Sequence, residues 1–253
     1  MKTKMKFTAC QYSKKALFTL GIISLVLAAC SKKDDNNSNN NNNSGGSSIQ
    51  LGDGTLVAVR SETIQSTPVG DITITIGTGV AVFSAAADYS SFTDGGGVTL
   101  NDQSLQKQSN NSYVFTPGVA LPTGIDFSSA VNWSVAGNTT TGVPAFTHSV
   151  SGGFPVAGNI SSATEISKAS GFTLTISNIS NADSVYFLVN DVLKALPGTA
   201  TSATFTAAEL SGLSNGTGLV SVAAWRFTNA QYGGKNFYFV NETVKQKSVT
   251  ISN

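Results

Sequence analysis

From residue 49 to the C-terminus the chain is written in short runs in which apolar and polar positions alternate. The clearest is Ile72-Thr73-Ile74-Thr75-Ile76, followed by Gly77-Thr78-Gly79 and then Val80-Ala81-Val82. Period two, β-branched residues and a glycine-containing spacer predict a β-hairpin with a three-residue loop and one buried face. Further strands are predicted at 56–60, 98–101, 113–115, 131–135, 172–177, 184–190, 203–206, 219–227, 237–240 and 247–251. Clusters of Gly, Asn, Ser, Thr and Pro separate them, as turn chemistry requires. The one short helical candidate is Ala207-Ala208-Glu209-Leu210. The expected fold class is all-β.

Spacing divides the body into two units, a β-rich first domain over 49–146 and a second over 147–253. The seam falls where Val143-Pro144, Gly152-Gly153 and Phe154-Pro155 crowd together. In the second unit, a strand at Ala203–Thr206 leads to Leu210, Gly212 and Leu213 and then to a long strand from Leu219 to Ala224. This stretch resembles immunoglobulin-like and fibronectin type III sandwiches, in which a strand enters a Leu- and Gly-containing turn before a long central strand. Leu219 stands where those modules usually carry a Tyr. The resemblance implies tandem β-sandwich domains and no particular chemistry.

The first 48 residues have another character. Lys2, Lys4, Lys6, Lys14 and Lys15 precede an apolar run over 16–29, which is short of the roughly 20 residues that a membrane span needs. Basic n-region, apolar h-region and small residues before Cys30 predict a secretory signal peptide over 1–29. Leu27-Ala28-Ala29-Cys30 resembles the lipobox of bacterial lipoproteins. That resemblance implies cleavage before Cys30, a diacylglycerol thioether on its sulfur, acylation of its amino group, and a membrane partner reached through the lipid. Ser31 after the Cys resembles outer-membrane sorting, and Asp34-Asp35 resemble the acidic surface-export patch of some envelope lipoproteins. The expected location is therefore the outer membrane, with display on the cell surface. Residues 30–48, nearly all Asn, Ser and Gly after the first few, predict a disordered tether holding the body roughly 20 Å from the lipid.

Cleavage changes the charge. The chain carries fifteen Lys and Arg against fourteen Asp and Glu; removing the five lysines above leaves 10 − 14 = −4. A mildly acidic body without a basic cluster speaks against nucleic acid. The two cysteines are Cys10 and Cys30, so the mature body has no thiol for disulfides, nucleophilic catalysis or metal ligation.

Catalytic inventory is thin. His148 is the single histidine, and without a Gly-x-Ser-x-Gly elbow it reads as an inter-domain or exposed residue rather than a base. Asp88 to Asp94 with Gly95-Gly96-Gly97 lacks the alternating oxygen ligands of a calcium loop. Asp183-Ser184-Val185 fits a short O-glycan acceptor pattern. Trp133 and Phe146 read as core aromatics. Tyr89, Phe92 and Tyr232 lie in loop-like stretches and are the candidate ligand-contact aromatics. The expectation is a non-enzymatic lipoprotein without cofactor or metal, displaying β-sandwiches for recognition of a glycan or envelope protein. Two alternatives stand beside it: an envelope carbohydrate-active enzyme using paired acids such as Asp88 or Asp94, and a structural subunit of a surface complex.

Overall fold

A computed structural model describes residues 52–67, 70–85 and 89–253, with backbone only at 64–67, 70 and 71. Cys30, the signal-peptide and tether segments, and Asp88 lie outside the described residues. The fold is all-β. In chain order the strands are β1 (Gly54–Thr67), β2 (Gly70–Phe83), β3 (Val98–Leu100), β4 (Gln103–Ser104), β5 (Gln106–Lys107), β6 (Tyr113–Phe115), β7 (Val131–Val135) and β8 (Phe146–Val150). They continue with β9 (Val156–Ala157), β10 (Glu165–Ser167), β11 (Phe172–Thr175), β12 (Ile179–Ser180), β13 (Ser184–Val189), β14 (Val192–Pro197), β15 (Ser202–Phe205), β16 (Gly216–Tyr232) and β17 (Lys235–Ser252). Ala207–Leu210 forms a helical turn, closed by a capping box between Thr206 and Glu209.

The frame is a nine-stranded sheet in the order β14-β13-β16-β17-β1-β2-β6-β5, with β10 pairing parallel to the far end of β17. Smaller sheets, β4-β3-β7-β8, β11-β15 and β12-β9, complete the fold. The long hairpin β16–β17 is the spine. Near its turn, Phe237 and Phe239 join Leu56, Phe83, Tyr113, Val131 and Trp133 in a first core under the β3-β7-β8 sheet. At its other end, Val220, Val222, Val249 and Ile251 join Phe172, Leu174, Phe187 and Phe205 in a second core under β11-β15. Each core has the sandwich form of two apposed sheets.

The division expected at 146/147 falls inside β8, which starts at Phe146. Two cores are present, but they are not two consecutive stretches of chain: the C-terminal hairpin supplies strands to both. The β1–β17 pairing is parallel and joins the first described strand to the last.

The hairpin expected around Gly77-Thr78-Gly79 is not formed. β2 runs through these residues without turning, paired to β1 from Gly70↔Thr67 to Phe83↔Gly54. The glycines serve close approach instead. A Cβ on Gly77 would sit 1.9 Å from the Ile125 carbonyl oxygen, and one on Gly79 would sit 2.6 Å from Leu100 Cδ2. The sequence signal was glycine in an alternating run, and glycine in a strand also marks a place where other backbone comes near.

The expectation of one buried face is also revised. Val57 and Val59 alternate with Leu56 and Ala58 on β1, and all four are inaccessible to within 1 %. On β13 all six residues are buried. Residues on both faces of the large sheet are buried, in keeping with its near-continuous apolar runs. We call the face that carries the two cores the front and its opposite the back.

Candidate functional site

Strand parity sends alternate side chains of β1 and β17 to the front. Between the two cores these are Arg60 and Glu62 from β1 with Asn241, Thr243 and Lys245 from β17, set in neighbouring register by Arg60↔Thr243 and Glu62↔Lys245. The front face is therefore apolar at its ends and polar in its middle. The segment leading into β9 covers part of that middle: Asn241 Nδ2 donates to Gly153 O at 3.0 Å and Thr243 Oγ1 to Pro155 O at 2.7 Å. Asn181 Nδ2 clamps the same segment through Gly152 O and Phe154 O at 2.9 and 3.1 Å.

What remains uncovered is a cleft of about 540 Å³, lined by Arg60, Glu62, Thr75, Gly77 and residues 123–128. Its size lies within the range of small-molecule sites. One wall is built on Gly77, whose N–H donates to Thr123 O and whose carbonyl accepts from Ile125 N–H, both at 2.9 Å. Asn101 Nδ2 donates to Asp126 O and Ala130 O, each at 2.8 Å, and ties this loop to β3. On the floor, Arg60 Nε lies 3.4 Å from Glu62 Oε1, and Lys245 Nζ donates to Glu62 Oε2. The Arg60 guanidinium also stands 5.1 Å over the Phe154 ring, which packs on Phe127 at 5.0 Å between centroids. Asp126 accepts from Ser128 N–H and Oγ at 2.8 Å each, and these bonds lower its pKa. The cleft thus offers a fixed cation, anionic oxygens and an aromatic edge, a set suited to holding a polar ligand of sugar size.

No protein-family profile matches the chain, and neither does any curated protein.

The three sequence-chosen aromatics lie elsewhere. Tyr89 takes a positive φ of 54° and its hydroxyl donates to Gly52 O. Phe92 bridges to Ser84, and its carbonyl accepts from Asn111 Nδ2 at 3.1 Å. Tyr232 ends β16 and stacks on Phe146 at 4.4 Å and 8°, so it extends the first core. Its hydroxyl lies 2.9 Å from His148 Nδ1 and donates to Thr147 O at 3.2 Å. His148 lies in turn on Phe239, with centroids 3.7 Å apart, and burial depresses its pKa. Tyr89, Phe92 and Tyr232 are not brought together.

Asp94 is a structural hub. One carboxylate oxygen accepts from Gly96 N–H at 2.9 Å and Tyr113 Oη at 2.6 Å, and the other meets Lys107 Nζ at 2.8 Å. Lys107, Tyr113 and Gly96 together hold its pKa down at about 2. Asp183 Oδ2 accepts from Phe227 N–H at 3.0 Å, while Ser184 has its hydroxyl buried on the back face.

A residue that the sequence reading passed over is the most perturbed acid among those described. Glu242, on the back face of β17, is wholly inaccessible, and desolvation pushes its pKa up to about 8. The neighbouring Trp225 indole pulls slightly the other way, yet neither carboxyl oxygen has a partner in hydrogen-bonding geometry. A lone acid inside Phe239-Val240-Asn241-Glu242-Thr243-Val244 was visible in the sequence. Arg60, Glu62, Asp126 and Phe127 were missed because the contacts that join them span more of the chain than any local pattern.

Proposed function

We propose that this chain is a lipid-anchored protein of the bacterial outer membrane, held at Cys30 and using its β body for recognition of a polar envelope ligand, a glycan first of all. The observation that carries the recognition reading is the cleft between Arg60, Glu62 and the Gly77-supported loop: it is concave, rigidly braced, and lined by hydrogen-bonding groups beside an aromatic edge. Lipobox, tether composition and acidic patch support the anchor and its outward display. The immunoglobulin-like resemblance of the second unit is supported by the way β13, β16 and β17 face β11 and β15 across one core.

Binding is tested on a glycan array followed by calorimetry with residues 41–253. Saturable binding that falls at least tenfold in Arg60→Ala is the expected result; no binding, or binding indifferent to Arg60→Ala, overturns the assignment. Palmitate labelling that disappears in Cys30→Ala, and loss of the body on protease shaving of intact cells, test anchor and display.

One observation favours hydrolysis as a second reading: Glu62 and Asp126 place two carboxylates on the same cleft, as glycoside hydrolysis requires. Glu62 is engaged by Arg60 and Lys245, and Asp126 is held as the anion by Ser128, which suits ligand contact better than a proton-donating acid. Product release from any glycan bound on the array would favour the enzyme.

A further inference from the structure

The back face of the nine-stranded sheet is largely apolar through its middle, where Ser61, Thr78 and Ser221 are small polar interruptions. Val57, Val59, Val80, Tyr186, Val240 and Val244 are almost inaccessible, and none belongs to either core. Among the described residues neither core accounts for that burial. The three smaller sheets and the helical turn place their buried apolar side chains in the two front-face cores. Most of the exposed large apolar side chains lie at the rim of this same face: Ile72 at 52 %, Leu193 at 43 %, Ile74 at 41 % and Leu219 at 36 %.

Cleavage before Cys30 removes the apolar run over 16–29. From Cys30 to Leu51 only Ile49 and Leu51 are large apolar residues, too few to cover such a surface. A mature chain with this face bare would expose a patch larger than monomeric proteins ordinarily carry.

The polar groups on the face narrow the choice of occupant. Register sets Ser184, Trp225 and Glu242 side by side on β13, β16 and β17. Ser184 Oγ, Trp225 Nε1 and both Glu242 carboxyl oxygens are buried without a hydrogen-bond partner. Orphan donors beside an orphan acceptor are what a twofold axis can resolve, since each copy then presents to the other what the other lacks.

We propose that the mature protein dimerises through this face, a second copy laying its own back face against it, with Ser184 and Trp225 of each copy donating to Glu242 of the other. The buried belt and its exposed rim give roughly 20 residues a side, the size of a standard specific interface. Two sheets packed face to face in this way restate, between copies, the arrangement that each core uses within the chain. The proposal rests on the lipoprotein reading in one respect, the removal of residues 1–29.

Sedimentation equilibrium on residues 41–253, which form one compact unit, reads the outcome. A dimer at micromolar concentration is expected. Ile74→Lys with Leu193→Lys, both at exposed positions that the fold tolerates, should weaken it at least tenfold with an unchanged near-ultraviolet spectrum. A monomer at every concentration overturns the proposal, and so does a dimer indifferent to the rim lysines. A heterologous protein recovered on this face from the envelope, with no self-association, overturns it in favour of that partner. Mass analysis of the cell-derived protein keeps the two readings apart. A dimer whose native chain retains residues 1–29 sinks the anchor and leaves the interface; a lipidated, processed monomer sinks the interface and leaves the anchor.

Discussion

The two faces of the large sheet are built from the same strands and differ in almost every other respect. On β17, Phe237, Phe239, Val249 and Ile251 turn to the front while Val240, Glu242 and Val244 turn to the back. The front alternates core, polar band, core, and the chain covers most of it with its own smaller sheets. The back is a largely apolar belt in which Ser61, Thr78, Ser184 and Ser221 are also buried, with one acid near its centre, and neither core reaches it. A one-residue slip of β17 would exchange the two sets and bring Glu242 to the front, so side-chain parity alone specifies the register strongly. The front face carries the fold's own stability and, in its polar gap, the cleft; the back face is a surface whose cover has to come from elsewhere.

Adjacent residues on one strand separate these roles. Phe239 packs in the first core against His148 and Phe146, and Phe239→Ala should cost about 3–5 kcal/mol at any protein concentration. Val240→Ala, one residue along and on the back, should cost about 2 kcal/mol and do so more at concentrations where the dimer forms. Urea unfolding of both variants at two protein concentrations a hundredfold apart is the measurement. Equal concentration dependence in the two would erase the distinction between the faces.

Glu242 gives the back face a pH signature. Its pKa is raised from 4.5 to about 8 by burial, so the folded state holds a proton that the unfolded state has released. The associated stability is complete below pH 4.5, declines by about 1.4 kcal/mol per unit as pH rises, and is spent once pH passes 8. Glu242→Gln should remove that decline and stabilise the protein by several kcal/mol at pH 8. Tyr186, held up at about 12 by its own burial and by Glu242, stays protonated throughout this window. Unfolding curves between pH 4.5 and 8 decide the matter: a flat wild-type profile would mean that water reaches the carboxyl.

Much of the fold was legible in the sequence, and its misreadings share a cause. The strands at 131–135 and 113–115 and the helical turn at Ala207 stand where alternation and composition place them, because each is specified by its own residues. The hairpin at Gly77 was misplaced because glycine signals both a turn and a close approach, and the partner making the approach, Ile125, lies far along the chain. The unit boundary was drawn where turn residues cluster, whereas the pairing that joins the halves, β1 with β17, leaves no local trace. The cleft escaped for the same reason: the strand expected at 56–60 ends at Arg60 and leaves Glu62 out, and neither marks a site until Lys245 and the loop at 123–128 are brought beside them. Asp94 stands out in the sequence beside Gly95-Gly96-Gly97, whereas its bond to Tyr113 leaves no local trace.

Gly77→Ala tests the front-face gap. The added methyl would meet Ile125 O, so either the loop at 123–128 lifts or β2 shifts; we expect a cost of about 1–3 kcal/mol and loss of ligand binding in the cleft. The back face should not feel it. A variant that loses the cleft yet sediments as the wild type does would show that the two faces are independent, while a concurrent loss of self-association would show that the sheet transmits strain from one to the other. Calorimetry and sedimentation on one preparation give both answers.

The smallest expected effect belongs to Asp94, and it sharpens the comparison because its sign is opposite to that of Glu242. Asp94 sits at the edge of the first core with its pKa held at about 2, below the ordinary 3.8, by Lys107, Tyr113 and the Gly96 N–H. The folded state therefore favours the anion; the stability Asp94 adds is present above pH 3.8 and is lost as pH falls through 2. Replacing it with Ala leaves the buried Tyr113 hydroxyl accepting from Gly95 N–H at 3.0 Å but with no acceptor for its own proton, and should cost about 1–2 kcal/mol near neutrality. Between pH 4.5 and 2 the wild type should lose ground against Asp94→Ala, while Glu242→Gln tracks the wild type because Glu242 is protonated in both states at the acid end. Crossing profiles for the two acids, one titrating from the acid side and one from the alkaline side, would place the half-buried, fully bonded carboxylate on the front and the orphaned carboxyl on the back by stability measurements alone.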